Sequence, residues 1–319
     1  AEAVGSTYRG GAAGSFGDKN LLGFMAEFGT FVPFALLLAG KRGWRTTVTP
    51  IAGMLVAILT ASRAAVGFGA GGLVLVLILS SLRKWTPRKG RILAAGIAIV
   101  VVLAPLAWYS FRDRFAEQPQ AGADERVLLN NAAAMILHDH PFGIGANNYI
   151  VVANSQGYAA RAGVPWSNPF AIVHSAYWLT AAETGYLGII TFALLWLQVT
   201  WVSLRCAWKY KKDHRGDIML GLSATLIVIA LHNAYEWVFF VYSAQYLFAI
   251  TAGMVATLAE QLGYWGAQRS ATDAVQAAIR AAPAPGYRLN RPVGSTRASA
   301  AHNATQSARH RDTNINHKQ

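Results

Sequence analysis

Charge is scarce in this chain. Only 13% of its 319 residues are Asp, Glu, Lys or Arg, where a soluble domain carries about 25%. Hydrophobic residues make up 54%, and mean hydropathy is +0.30. The shortage argues against a cytosolic globular protein, and the apolar content excludes polar disorder for most of the chain. Cysteine is nearly absent: one in 319 residues excludes a disulfide scaffold and a Cys-based metal cluster. The chain also opens without an initiator Met and without a basic leader followed by a short apolar stretch, so no signal peptide is visible. We expect the chain to be a fragment that lacks earlier spans.

What is there is apolar and long. Seven stretches approach or reach the roughly 20 residues that cross a bilayer: 21–40, 46–62, 64–82, 92–110, 175–204, 217–235 and 238–259. Pro33 and Pro105 fall inside the first and fourth, which membrane helices tolerate. Glu27, Glu183, His232 and Glu236 are the ionisable exceptions within or at the ends of spans. The prediction is an all-α polytopic membrane protein with about seven transmembrane helices.

The formal charge of +13 decides the orientation. Lys41, Arg42 and Arg45 lie between spans one and two. Arg83, Lys84, Arg88, Lys89 and Arg91 lie between three and four, and Arg205, Lys209, Lys211, Lys212 and Arg215 between five and six. The remaining cluster is the tail, with Arg269, Arg280, Arg288, Arg291, Arg297, Arg309, Arg311 and Lys318. With alternating spans all four clusters share one side, which the positive-inside rule makes cytoplasmic. The basic charge is a topology signal, and no nucleic acid is expected as a partner; membrane lipids are.

This divides the chain into an exported segment 1–20, spans one to four over 21–110, an exported loop 111–173, spans five to seven over 174–259, and a cytoplasmic tail 260–319. Within the loop, Ala123–Leu137 has helix-forming composition, with Arg126, Asn130 and Leu137 on one face; the helix is placed near 123–139. His140-Pro141-Phe142-Gly143-Ile144-Gly145 should stop it, and 141–173 reads as irregular. In the tail, a short helix is expected at Ala271–Arg280 and disorder beyond Ala281.

The topology gathers a few ionisable residues on the exported face. Arg63 stands at the end of span two, Arg126 on the loop helix, and His174 opens the helix of span five. Glu183 follows nine residues later, about two and a half turns deeper and on the opposite side, so it is not paired with His174. Each also has a structural reading. Arg63 would snorkel to the interface, and Arg126 would pair with Asp124 or Glu125. His174 would bond a carbonyl at a helix end, and Glu183 would be a buried carboxylate bonded to a neighbouring helix. His138-Asp139-His140 looks like a metal site, but successive helical residues do not converge, and no metal is expected.

Taken in order, Gly14-Ser15-Phe16-Gly17-Asp18-Lys19-Asn20, Ser62-Arg63, Arg126, His140-Pro141-Phe142-Gly143-Ile144-Gly145, His174-Ser175-Ala176-Tyr177-Trp178-Leu179 and Glu183-Thr184-Gly185-Tyr186-Leu187-Gly188 resemble the O-antigen ligase superfamily over about residues 14–259. Ser175 stands where that family often has Asn. The superfamily includes lipopolysaccharide O-antigen ligases, polysaccharide polymerases and O-linked protein oligosaccharyltransferases.

The resemblance implies an inner-membrane glycosyltransferase with its site on the periplasmic face. It implies an undecaprenyl-diphosphate-linked glycan as donor and a hydroxyl acceptor, lipid A–core in the leading reading. A second lipid-linked repeat unit or a protein would be the acceptor in the competing ones. It also implies transfer without metal or cofactor, and no Asp-x-Asp pair occurs in the sequence. Arg63 and Arg126 would hold the diphosphate, since Arg forks onto phosphate oxygens. His174 would take the acceptor proton. Glu183, Asn20 and His140 would support them, and Trp166, Tyr158 and Tyr149 would stack on sugar rings. A transporter is the reading from another class, and it calls for more ionisable residues midway through spans.

Overall fold

The structure is a computed structural model that describes residues 13–41, 43–98, 101–102, 120–165, 170–266 and 276–277. It divides into two units, 1–266 and 267–319. Of the second, only 276–277 is described, and both residues are helical. The helix expected at Ala271–Arg280 otherwise lies outside the described residues, as do the stretch beyond Ala281 where disorder is expected, most of segment 1–20, and Trp166.

The first unit is all-helical among its described residues: α1 (Lys19–Leu38), α2 (Trp44–Leu59), α3 (Arg63–Arg83), α4 (87–98), α5 (Gln120–Asp139), α6 (Tyr149–Ser155), α7 (Tyr158–Arg161), α8 (Ala176–Lys209), α9 (His214–Asn233) and α10 (Tyr242–Gln261). Helix starts follow side-chain chemistry. Asp18 caps α1 by accepting from the backbone N–H of Asn20 at 2.7 Å and of Leu21 at 3.2 Å. Ser62 caps α3, Ser175 caps α8 and Asp213 caps α9. Such caps satisfy donors that a helix start leaves open.

Among the described residues, four helices are long and apolar enough to cross a membrane: α1, α3, α8 and α9. The expectation of seven spans is met only in part. Helix α2 is apolar but has 16 residues. Helix α10 has the length, but Tyr242, Ser243, Gln245 and Tyr246 dilute its first turns. It also starts later than expected, because Val238–Phe240 forms a separate 3-10 turn. The fourth stretch, 92–110, is helical at 92–98 and 101–102; the rest of it lies outside the described residues.

Helices α1, α3 and α8 pack around α9 as the inner member. In a membrane, close packing supplies what hydrophobic burial supplies in water. At Gly221 on α9 and Gly72 on α3, a Cβ would meet Val32 of α1 and Phe31 of α1 respectively, so the backbones can approach. Buried Phe24, Phe31, Ile229, Leu226 and Val76 fill the seam.

The region between α5 and the start of α8 forms its own small core. Leu129, Ala133 and Ile136 of α5 pack with buried Tyr149, Ala153, Tyr158 and Val173. Helix α5 ends at Asp139, where Pro141 and Gly143 follow, as the sequence predicts. The stretch 141–173 is not irregular throughout, since α6 and α7 lie in it. Seven- and four-residue helices are too short to show a helical period in sequence.

Two sequence motifs interlock here. Helix α8 carries a non-helical residue, Gly185, at φ 70°, and Gly143 has φ 85°. The two glycine backbones lie against each other, so a Cβ at either would strike the other's strand of backbone. The break exposes polar backbone groups that the loop satisfies. Gly145 N–H donates to the Glu183 carbonyl at 2.9 Å, Ile144 N–H to that of Ala182, and Tyr186 N–H to that of Pro141 at 3.0 Å.

Candidate active site

Helix direction and side-chain contacts define two ends of the bundle. At one end Arg83 of α3 meets Asp217 of α9 at 2.8 Å, and Arg215 donates to the Gln261 carbonyl of α10. This is the end of the basic clusters. At the other end α1, α3 and α8 begin and α2 and α9 finish, and there a group of polar side chains converges.

Its centre is Glu236, in the turn that leaves α9, with 2% of its side chain exposed. The turn is fixed by Glu236 N–H and Tyr235 N–H, both donating to the His232 carbonyl. Glu236 Oε1 accepts from Arg126 Nη2 at 2.9 Å. Its Oε2 lies 3.4 Å from His174 Nδ1. Arg126 also donates to the Tyr235 carbonyl at 3.3 Å, and its guanidinium lies over the Tyr235 ring at 4.0 Å. Arg126 thus comes from α5, His174 from the residue before the α8 cap, and Glu236 from the end of α9.

Burial acts to raise the Glu236 carboxyl. The His174 hydrogen bond and the Arg126 charge act the other way and prevail, so Glu236 sits below the usual carboxylate range. An ionised carboxylate only accepts hydrogen bonds. Its His174 partner atom, Nδ1, must therefore be the protonated one, and the lone pair of the neutral ring lies on Nε2. His174 and Arg126 keep 34% and 25% of their side chains exposed, so both are reachable.

The other sequence-predicted residues are placed as follows. Arg63 is exposed in the first turn of α3, at the same end of the bundle as His174. Glu183 is not paired with His174; its Oε1 accepts from the backbone N–H of Tyr149 at 3.2 Å, holding the first turn of α6 to α8. His140 stacks edge-on with Tyr158, ring centres 6.3 Å apart, in the loop core. Asn20 lies in the first turn of α1 under the Asp18 cap. His174 itself precedes α8, whose cap is Ser175. The serine at that position makes the helix start by accepting from Trp178 N–H at 3.5 Å.

Two expectations are corrected. Tyr149 and Tyr158 cannot stack on a sugar, because they are 1% and 3% exposed; their hydroxyls donate to the Leu129 carbonyl and to Asp139. Arg126 is also more than a solvated loop ion, since it pairs with the buried Glu236. Among the described residues, no three His, Cys, Asp or Glu side chains converge to hold a metal.

Sequence reasoning noted Glu236 as an ionisable residue at a span end but did not place it in the site. The available signal was the default that such a group near the membrane is functional. One turn deeper, His232 Nδ1 meets Glu27 at 2.9 Å, enclosed by Phe24 and Phe68.

Residues 48–193 match the family model described as O-antigen ligase. This match gives residues 48–193 as an O-antigen ligase domain and supports the resemblance to the O-antigen ligase superfamily. No curated protein matches it. The O-antigen ligase region runs from α2 into α8 and contains Arg63, Arg126, His140, His174 and Glu183, while Glu236 and Asn20 lie outside it. O-antigen ligase family members are glycosyltransferase-type enzymes, ligases or polymerases, whose substrates are in general glycans and lipid-linked glycans. With four helices able to cross a membrane, this O-antigen ligase homologue is a membrane protein.

Proposed function

We propose that the chain is an inner-membrane glycosyltransferase that moves a glycan from an undecaprenyl-diphosphate carrier to a hydroxyl, with O-antigen transfer to lipid A–core as the leading reaction. The observation that carries this reading is the shared carboxylate: Glu236 joins a reachable Arg to a reachable His. The site faces the periplasm if the basic end faces the cytoplasm.

The chemistry balances with these groups alone. The acceptor hydroxyl attacks the anomeric carbon, and His174 Nε2 takes its proton. The bond from that carbon to the diphosphate oxygen breaks, and the lipid diphosphate leaves with the electron pair. Arg126 has five N–H donors, of which the Tyr235 and Glu236 contacts use only some, so it can fork onto the leaving phosphate. Arg63, charged and exposed at the same end, would be the second clamp. Glu236 holds the His tautomer and stabilises the imidazolium that forms, the role a buried carboxylate plays in a hydrolase triad. Glu183 acts on the loop through Tyr149, and His140 through Tyr158; neither needs to touch substrate.

The test is transfer itself. The protein is expressed in a strain lacking its O-antigen ligase and in one lacking its polymerase, and lipopolysaccharide is resolved by gel. Restored capping of lipid A–core in the first strain supports the leading reaction. Restored chain lengthening in the second alone assigns polymerisation, and restoration of neither overturns glycan transfer to both acceptors.

A further inference from the structure

The opposite end of the bundle holds a separate feature that glycan transfer does not use. A cavity of about 430 Å³ opens there, lined by Arg205, Trp208, Lys209 and Tyr264. Arg205 and Lys209 are one turn apart on α8 and both exposed. Two neighbouring cations of this end are engaged, Arg83 with Asp217 and Arg215 with Asp213. Among the described residues, Arg205 and Lys209 contact aromatic rings instead: Trp201 at 5.3 Å and Tyr210 at 5.1 Å.

We propose that this cavity binds the headgroup of an anionic phospholipid. Arg offers a fork and Lys a point charge to one phosphodiester, and about 430 Å³ is within the usual size of a ligand site, roughly 300–1,000 Å³. The lipid, as opposed to a soluble anion, follows from what lies above the cavity. Leu194, Leu197 and Trp201 precede Arg205 on α8 at spacings of three and four residues, so they share its face, and all three are exposed. An acyl chain can run along that stripe while its phosphate sits between Arg205 and Lys209. Trp208, also exposed, sits where an interfacial aromatic belongs. Basic cavities between membrane helices on the cytoplasmic side are built for such headgroups.

The test uses the whole chain purified in an uncharged detergent, with phosphatidylglycerol or phosphatidylcholine added and retained lipid counted by native mass spectrometry. Phosphatidylglycerol should be retained in clear preference to phosphatidylcholine. Arg205→Gln and Lys209→Gln should each weaken retention about fivefold; both positions are exposed, so the fold is expected to persist, and a melting curve checks it. Lys211→Gln with Lys212→Gln, exposed at the same end but outside the cavity lining, should retain lipid like the parent. Inorganic phosphate should not compete. Equal retention of the two lipids, parental retention by both cavity variants, equal loss in the Lys211 and Lys212 variant, or displacement by phosphate would each overturn the proposal.

Discussion

Arg126 and Glu236 are joined by a 2.9 Å ion pair across 110 residues of sequence. The pair ties α5 to the end of the innermost helix, and it leaves the second carboxylate oxygen of Glu236 facing His174. The imidazole and the guanidinium are therefore positioned by one carboxylate.

Glu236→Gln keeps the shape of that group but can donate to Nδ1, which favours the wrong tautomer of His174. Transfer should fall by about 100-fold or more, by comparison with the loss of the same arrangement in a hydrolase triad. Rates with purified protein, lipid-linked donor and acceptor check this, with donor binding measured alongside. Parental turnover would remove Glu236 from the positioning of His174.

For His174 the informative comparison is among variants. Loss of a positioned base costs about 10²–10⁴-fold, and His174→Ala should lose that much while still binding donor. His174→Gln keeps hydrogen bonding but cannot act as a base, so it should be as inactive as Ala. Substantial turnover by His174→Gln would leave the residue a structural role only.

Arg63→Ala and Arg126→Ala should each lose most transfer, on the order of 2–4 kcal/mol in the transition state by comparison with loss of an oxyanion donor. Lys should rescue each only in part. Arg126→Ala should also lower thermal stability, because it strips a buried carboxylate of its partner, whereas exposed Arg63 should not. Near-normal transfer at normal expression would reject a diphosphate role for that residue.

The pH dependence of stability has a definite sign. Glu236 is held below the usual carboxylate range. A depressed carboxylate contributes stability that is present above its unfolded value and is lost as pH falls through its native one. Melting temperature should therefore drop on the acid side more in the parent than in Glu236→Gln, which has no such group to protonate. Parallel acid limbs for the two proteins would contradict this.

Gly143→Ala and Gly185→Ala should each destabilise by more than about 2 kcal/mol, combining left-handed backbone with collision against the facing chain. Gly29→Ala and Gly67→Ala, where a Cβ meets nothing within 4 Å, serve as controls and should be neutral or better. Thermal unfolding of the purified variants measures both.

The legible parts of this protein were those written in local pattern. Helix α5 and its stop at Pro141 could be read from composition and helix breakers, and α1, α3, α8 and α9 from long apolar runs. Arg126 and His174 came from ordered motifs. Glu236 did not, because its role depends on a contact spanning 110 residues, and nothing local to the turn after α9 records it. Tyr149 and Tyr158 misled for the opposite reason: aromatic composition in a loop does not say whether the loop has a core, and this one does. The back-to-back meeting of Gly143 and Gly185 was visible only as two separate motifs.

The position of α9 bears on how the protein is made. It is the least apolar of the four spanning helices and carries buried Ser223, Thr225, His232 and Asn233, so lipid alone receives it poorly. Its partners α1, α3 and α8 all precede it in the chain and are synthesised first. Helix α9 thus leaves the ribosome with its binding surfaces already in the bilayer, and its insertion is completed by assembly.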